Sequence, residues 1–362
     1  MAHAFRANFD DGLEDGAAVC VYAGGRPVVD LFGGTFRRDS LAVVWSTTKG
    51  AMAIAVLLLA ERGLLDLDRP VADYWPEFAS GGKHAVPVRW LLTHQAGLAA
   101  VDAPMTCDDF LAGAPMARAL AAQRPLWEPG TAFGYHAFTY GWLLGELVRR
   151  VTGMTAGSFF HEEIAGPLGL YFWIGLPEEE EARVVPIKPP PLPAPSDPVD
   201  PSAVAMRDRA TLAHRIAVNP AFPPGSFNSR ALHAAEVPAA SGITDARSLA
   251  RLYAACVGEV DGHGRLLSDE TVDRARATQV RGPSIVEPHN EMHNGLGFML
   301  PTEKVPMAGE GSFGHDGAGG SLGFAHPERG IGFGYVMNQM GPYRPEGDTR
   351  TRRLCTALRA CL

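Results

Sequence analysis

Residues 46–63 read STTKGAMAIAVLLLAERG, and the interpretation of the whole chain starts from them. The apolar run at 51–60 is about half as long as a membrane span, so we expect a buried helix that ends at Gly63. Ser46 and Lys49 share one face at the start of this helix. A serine there feels the positive end of the helix dipole, and an apolar setting lowers the pKa of a lysine. The pair can therefore form a nucleophile and its base.

A Ser-x-x-Lys pattern is weak evidence alone, because serine is a common helix cap and about one match is expected by chance. Two further segments strengthen it. WEPGTAFGYHA, at 127–137, places Tyr135 after a Pro-Gly turn, where a tyrosine near a lysine can act as a general acid or base. FGHDGAGGS, at 313–321, is dense in glycine and can supply a backbone N–H for an oxyanion. An ordinary loop tyrosine and a flexible hairpin entry are the alternatives.

The bulk composition fits a soluble globular protein. The 362 residues are 46% hydrophobic and 20% charged, enough for one large domain or two ordinary ones. A net charge of −8 leaves no basic excess for nucleic acid, and no basic amphipathic segment suits a membrane surface. We find no signal-peptide core, and the scattered cysteines match neither a disulfide framework nor a zinc site. These features favour a cytoplasmic setting.

Strand signals lie towards both ends of the chain, and helical signals fill the middle. Residues 17–33 and 321–338 each carry two apolar runs around a turn, which predicts two hairpins. Apolar stripes predict helices at 88–94, 139–153 and 243–257.

This arrangement predicts an α/β fold of the α+β kind, in which an antiparallel sheet is flanked by helices and holds an inserted, mainly helical domain. We assign residues 1–66 and 236–362 to the α/β domain and residues 67–235 to the insertion. The insertion includes the proline-rich stretch 186–201, which we interpret as a surface excursion.

In this order, the three segments with candidate catalytic groups resemble the motifs of the serine β-lactamase and penicillin-binding-protein superfamily. Within it, the chain is most similar to the class C β-lactamase-related carboxylesterases, the family VIII esterases. LLTHQAGL (91–98), GPLGL (166–170) and the C-terminal hairpin also match, so the resemblance covers essentially the whole chain. It implies a β-lactamase-like fold.

The resemblance also implies roles for individual residues. Ser46 attacks the acyl carbonyl, Lys49 and Tyr135 share the role of the base, and the backbone N–H groups of Ser46 and Ala318 bind the oxyanion. Tyr135 returns a proton to the leaving alcohol. The implied partner is a small-molecule ester, with no cofactor, metal, nucleic acid or membrane, and the oligomeric state is left open between monomer and homodimer.

Two positions depart from the β-lactamase motifs. Tyr-x-Asn is replaced by Tyr-His-Ala at 135–137, and Lys-Thr-Gly by His-Asp-Gly at 315–317. The missing lysine helps to hold a substrate carboxylate, whereas histidine is mostly neutral at pH 7. Both changes favour neutral short-chain esters. β-Lactamase, D-amino-acid amidase or peptidase, and acyltransferase activity are the alternatives, and a non-catalytic scaffold is a remote one.

Six further residues are candidates for substrate contact: His136, His315, Asp316, Gly317, Trp45 and Trp127. The two tryptophans could instead pack the domain junction. We interpret His94 as a buried, hydrogen-bonded histidine. Ser321 is a rival nucleophile, because it lies in a Gly-x-Ser-x-Gly pattern. That elbow needs a helix after the serine, whereas a strand hairpin follows here, so we expect a structural role for Ser321.

Overall fold

The computed structural model describes residues 1–223 and 225–362. Its strands in chain order are β1 (Gly16–Ala23), β2 (Arg26–Gly34), β3 (Ala42–Val43), β4 (Phe172–Ile174), β5 (Gly242–Thr244), β6 (Val280–Pro283), β7 (Glu291–Asn294), β8 (Phe313–Asp316), β9 (Leu322–His326) and β10 (Ile331–Met337). Its α-helices are α1 (Ala2–Asp10), α2 (Thr48–Glu61), α3 (Val88–Leu92), α4 (Cys107–Ala112), α5 (Ala114–Ala122), α6 (Thr139–Thr152), α7 (Ala156–Phe160), α8 (Pro201–Arg207), α9 (Leu212–Val218), α10 (Arg230–Ala234), α11 (Ala246–Val257), α12 (Asp269–Arg276) and α13 (Thr349–Arg359).

A five-stranded antiparallel sheet, in the order β2-β1-β10-β9-β8, joins the two ends of the chain. Both predicted hairpins are present, as β1–β2 and β9–β10. The two hairpins meet where Val19 lies opposite Tyr335. The fold class is therefore confirmed.

Helices cover both faces of this sheet. On one face α11 comes so close that a Cβ on Gly332 would lie 2.3 Å from the carbonyl oxygen of Ala250. On the other face α1 and α13 pack against the sheet through residues such as Phe5 and Leu354. The sequence patterns did not predict these two terminal helices. The strands thus lie near the ends of the chain, not at them.

The helix predicted from Ser46 begins with a 3-10 turn, Trp45–Thr47, and continues as α2. It runs through the centre of the molecule, and every residue from Thr48 to Leu59 is buried. None of the helices in the described part of the chain is long and apolar enough to cross a membrane.

The core around α2 takes residues from both of the predicted domains. Ile54 of α2, Leu143 of α6 and Leu252 of α11 belong to one hydrophobic cluster. Strand β4, from the predicted insertion, pairs antiparallel with β5, so Trp173 lies opposite Ile243. The division into an α/β domain and a helical insertion stays a prediction.

The proline-rich stretch follows the surface beside the end of β10. The Lys188 N–H donates to the Asn338 carbonyl at 2.7 Å, and Gln339 Nε2 donates to the Pro189 carbonyl at 2.6 Å. Leu192 in this stretch is almost fully exposed. Most of the stretch is therefore exposed, while backbone and side-chain hydrogen bonds connect its first residues to the end of the sheet.

Candidate active site

Ser46 lies on the 3-10 turn that leads into α2. The residue before it, Trp45, has a φ of 49°, a left-handed conformation that costs a non-glycine residue about 1 kcal/mol or more. The Thr48 hydroxyl donates to the Trp45 carbonyl at 2.5 Å and accepts from the Gly242 N–H at 2.9 Å. The Trp45 ring packs on Phe227, with centroids 3.9 Å apart. These contacts hold the strained turn.

Lys49 is fully buried, and its ammonium nitrogen lies 3.0 Å from Ser46 Oγ. The same nitrogen donates to the carbonyls of Ala137 at 2.8 Å and Ala239 at 2.9 Å. Burial lowers the pKa of Lys49 to about 7, and the carboxylate of Asp316 opposes that shift. A neutral amine has two N–H groups and one lone pair. Because two carbonyls accept the N–H groups, the lone pair is left for the Ser46 hydroxyl.

Tyr135 lies on the other side of this lysine, whose nitrogen is 4.8 Å from the centre of the tyrosine ring. Burial raises the pKa of Tyr135 above its ordinary value, although a hydrogen bond with Ser46 opposes the shift. The phenol therefore stays protonated at neutral pH and can donate a proton.

His94 packs beside the Tyr135 ring, with centroids 5.0 Å apart. Its Nδ1 accepts the backbone N–H of His136 at 3.1 Å, and burial lowers its pKa. This is the buried, hydrogen-bonded histidine that the sequence indicated.

The glycine-rich turn at 317–320 meets the turn Trp45–Thr47, which carries the candidate nucleophile, through hydroxyl groups. Ser321 Oγ donates to the Val44 carbonyl at 2.9 Å and lies 3.0 Å from Thr47 Oγ1. Ser321 is buried, and β9 follows it where an α/β-hydrolase would have a helix. Its hydroxyl thus connects the two turns, which fits the expected structural role. Ala318 is exposed at the tip of the glycine-rich turn.

Ser46 opens into a cavity of about 340 Å³. Tyr135 lines it together with the predicted residues His315, Asp316, Gly317 and Ala318. The other charged residues in its lining are Glu287, Glu291, Lys304 and Asp348, and no sequence motif indicated any of them.

Two neighbouring side chains set the charge next to the serine. Burial, together with the positive charge of the nearby Lys49, lowers the pKa of His315 to about 3, so this imidazole is neutral. Partial burial raises the pKa of Asp316 to about 6, while Lys49 acts in the opposite direction. With Asp316 ionised, the cavity lining has four carboxylates and one lysine, Lys304, and one of the four, Asp348, is paired with the Arg350 guanidinium at 2.6 Å.

Three of the predicted substrate-contact residues lie away from this cavity. His136 is fully buried, and both ring nitrogens are used: Nε2 accepts from the Leu98 N–H at 3.1 Å, and Nδ1 lies 2.6 Å from the Gly134 carbonyl. This placement corrects the expectation that His136 contacts substrate. Trp127 donates to a carbonyl of its own loop, and Trp45 packs on Phe227. Both tryptophans therefore pack the structure.

Comparison with known proteins places this site in a family. The β-lactamase family profile matches residues 5–358. The chain belongs to the β-lactamase family. The Mycobacterium tuberculosis protein named Esterase/beta-lactamase LipL is 36% identical, over 94% of this chain and 81% of its own length.

Two solved structures are similar to this chain over essentially its whole length. The crystal structure of a family VIII carboxylesterase superposes with a TM-score of 0.89 at 36% identity, covering 100% of this chain and 96% of the other. EstA from Arthrobacter nitroguajacolicus Rue61a gives a TM-score of 0.87 at 36% identity, with 99% and 95% covered. The resemblance read from the motifs is thus confirmed for family and fold, and the chain is an esterase-type serine hydrolase of this superfamily.

Proposed function

We propose that this protein is a carboxylesterase that cleaves small, neutral, short-chain esters through an acyl-enzyme on Ser46. One observation carries the proposal: a buried lysine with a pKa of about 7 lies 3.0 Å from the Ser46 hydroxyl oxygen. Such an amine is partly neutral at pH 7 and can remove the serine proton without a metal or a histidine.

In the acylation step, Ser46 Oγ adds to the ester carbonyl as Lys49 takes the hydroxyl proton. The negative oxygen that forms is stabilised by the backbone N–H groups of Ser46 and Ala318. Tyr135 donates its proton to the departing alkoxide and recovers one from Lys49. Water then adds to the acyl-enzyme by the same route in reverse, which releases the acid and restores Ser46.

The charge of the cavity supports neutral substrates. A β-lactam carries a carboxylate, and a site that binds it needs a fixed positive charge near the third motif. Here that position is a neutral His315 followed by Asp316. Asp348 is paired with Arg350, so the remaining carboxylates of the lining, Asp316, Glu287 and Glu291, face only Lys304. Unpaired like charges in a partly desolvated site are costly, so an anionic substrate is disfavoured.

β-Lactam hydrolysis is the second candidate, because the relative LipL is named for both activities. The test compares kcat/KM for p-nitrophenyl acetate or butyrate with kcat/KM for a chromogenic cephalosporin. We expect kcat/KM to be higher for the esters by roughly 100-fold or more, which corresponds to a difference of about 2.7 kcal/mol in transition-state stabilisation. A cephalosporin rate that equals the ester rate contradicts the neutral-ester proposal.

The variant Asp316→Asn sharpens this comparison, because it removes one carboxylate from the cavity without changing its shape. The ratio of cephalosporin to ester activity should rise in this variant. Ser46→Ala should abolish both activities, which shows that they share one nucleophile.

A further inference from the structure

We propose that Arg350 is a positioning residue for the oxyanion hole, because it anchors the glycine-rich turn that carries Ala318. This inference rests on the proposed function, in which the Ala318 N–H binds the negative oxygen. Arg350 lies on α13, some thirty residues after that turn in sequence, and nothing in the sequence motifs indicates it.

Arg350 is 2% exposed and connects three separate parts of the chain. Its guanidinium donates to Glu14 Oε2 at 3.2 Å before β1, and to the Gln339 carbonyl at 2.7 Å after β10. It also donates to the Gly319 carbonyl, inside the glycine-rich turn. Asp348 holds the guanidinium in place, with Oδ2 at 2.6 Å and Oδ1 at 3.1 Å. A planar fork of N–H groups can serve these partners together, which a lysine cannot do.

The outer side of the turn is fastened to this guanidinium and to the chain beside it. The Gly319 carbonyl accepts a second hydrogen bond, from the Gly341 N–H at 2.9 Å. A Cβ on Gly320 would lie 2.5 Å from the Arg350 guanidinium, and a Cβ on Gly341 would lie 2.6 Å from it. Both distances are too short for a side chain, so the turn sits directly on the arginine.

The inner side of the same turn packs against Val44, just before the nucleophile turn. A Cβ on Gly317 would lie 2.2 Å from the Val44 carbonyl oxygen, and Ser321 bonds to that same carbonyl. Ala318 therefore lies between two fixed points, the nucleophile turn on one side and the arginine on the other. Loss of the hydrogen bond from Arg350 to the Gly319 carbonyl would let the Ala318 N–H move relative to Ser46, although neither Ala318 nor Ser46 is changed.

The competing interpretation is that Arg350 only stabilises the fold, as many buried ion pairs do when one partner is removed. The two roles differ in what they do to the transition state. A loose oxyanion hole lowers kcat and leaves KM nearly unchanged, because the negative oxygen forms only in the transition state. It also weakens the discrimination between an ester and the matching thionoester, since sulfur at the oxyanion position is larger and accepts hydrogen bonds poorly.

The experiment measures kcat, KM and the ester-to-thionoester ratio of kcat/KM for the full-length protein and three variants. Arg350→Lys keeps the positive charge and loses the fork. Gly341→Ala keeps Arg350 itself unchanged, but its Cβ would lie 2.6 Å from both the Arg350 guanidinium and Asp348 Oδ2, so it displaces this ion pair. Arg353→Lys is the matched control, because Arg353 lies on the same helix and donates to Asn8 at 3.0 Å, not to the turn.

We expect Arg350→Lys and Gly341→Ala each to lower kcat about tenfold, a fraction of the 10² to 10³ lost with a whole oxyanion donor. KM should stay within twofold, the ester-to-thionoester ratio should fall, and Arg353→Lys should match the wild type. An unchanged kcat and ratio in Arg350→Lys, or a higher KM alone, overturns the inference. If Arg350→Lys does not fold, Gly341→Ala decides by the same criteria. A wild-type protein that is not acylated on Ser46 refutes the proposed function, which is a separate result.

Discussion

Gly317→Ala should cripple catalysis while the protein still folds. The added Cβ would lie 2.2 Å from the Val44 carbonyl oxygen and 2.3 Å from Ser321 Oγ, whereas ordinary contacts begin at 3.4 Å. The glycine-rich turn and the nucleophile turn must therefore move apart by about 1.2 Å to reach an ordinary contact distance. A misplacement of about 1 Å costs on the order of 100-fold in rate, or about 2.7 kcal/mol of transition-state stabilisation. Overpacking should lower the free energy of unfolding by about 1–3 kcal/mol.

Two measurements test this prediction together. Steady-state hydrolysis of a p-nitrophenyl ester gives kcat and KM, and urea denaturation gives the free energy of unfolding. Gly264→Ala is the matched control, because no atom of the described residues beyond its chain neighbours lies within 4 Å of its added Cβ. We expect the control to retain wild-type kcat. A Gly317→Ala variant that keeps kcat within threefold refutes the placement of Ala318 in the oxyanion hole.

Three further predictions concern the proton carriers and the fold. The kcat/KM of a neutral ester should rise with pH through a one-proton step near pH 7, because only the neutral Lys49 accepts the serine proton. At pH 5 this kcat/KM should be about 100-fold below its plateau. A pH profile that is flat from pH 5 to 9 contradicts this prediction. Tyr135→Phe should lower kcat about 10²- to 10⁴-fold, which is the usual contribution of a general acid, and should leave the fold intact. Stopped-flow kinetics measures kcat, and circular dichroism checks the fold. Lys83 is buried and donates to the carbonyls of Ser80 at 2.7 Å and Ala121 at 3.0 Å. Lys83→Met should cost about 1–3 kcal/mol of unfolding free energy in urea denaturation, with kcat/KM unchanged.

Local patterns in the sequence were sufficient to predict both hairpins and the nucleophile helix. The pairing of Val19 with Tyr335 joins segments more than 300 residues apart. The strand signals near both ends of the chain predicted a shared sheet, but local patterns carry no information on which residues lie opposite each other. The terminal helices α1 and α13 were not predicted, because α1 is only nine residues long and the apolar residues of α13 lie among four arginines and three threonines.

The candidate site was predictable where side-chain chemistry and short spacing coincide, as in Ser46 and Lys49. Sequence adjacency misled at His136, because Tyr135 faces the cavity while its neighbour turns into the core. The two carbonyls that orient Lys49, from Ala137 and Ala239, carry no sequence signal, since every residue has a carbonyl. Of the acidic residues in the cavity lining only Asp316 was predicted, because Glu287, Glu291 and Asp348 are far from the motifs in sequence.

The most direct test of the proposed acyl-enzyme is to find the residue that an ester-mimicking phosphonate labels. Intact mass spectrometry followed by peptide mapping would be applied to the wild type, Ser46→Ala and Ser321→Ala. We predict one adduct on Ser46 in the wild type and in Ser321→Ala, and none in Ser46→Ala. An adduct that persists in Ser46→Ala, or one that disappears only in Ser321→Ala, would contradict the assignment of Ser46 as the nucleophile.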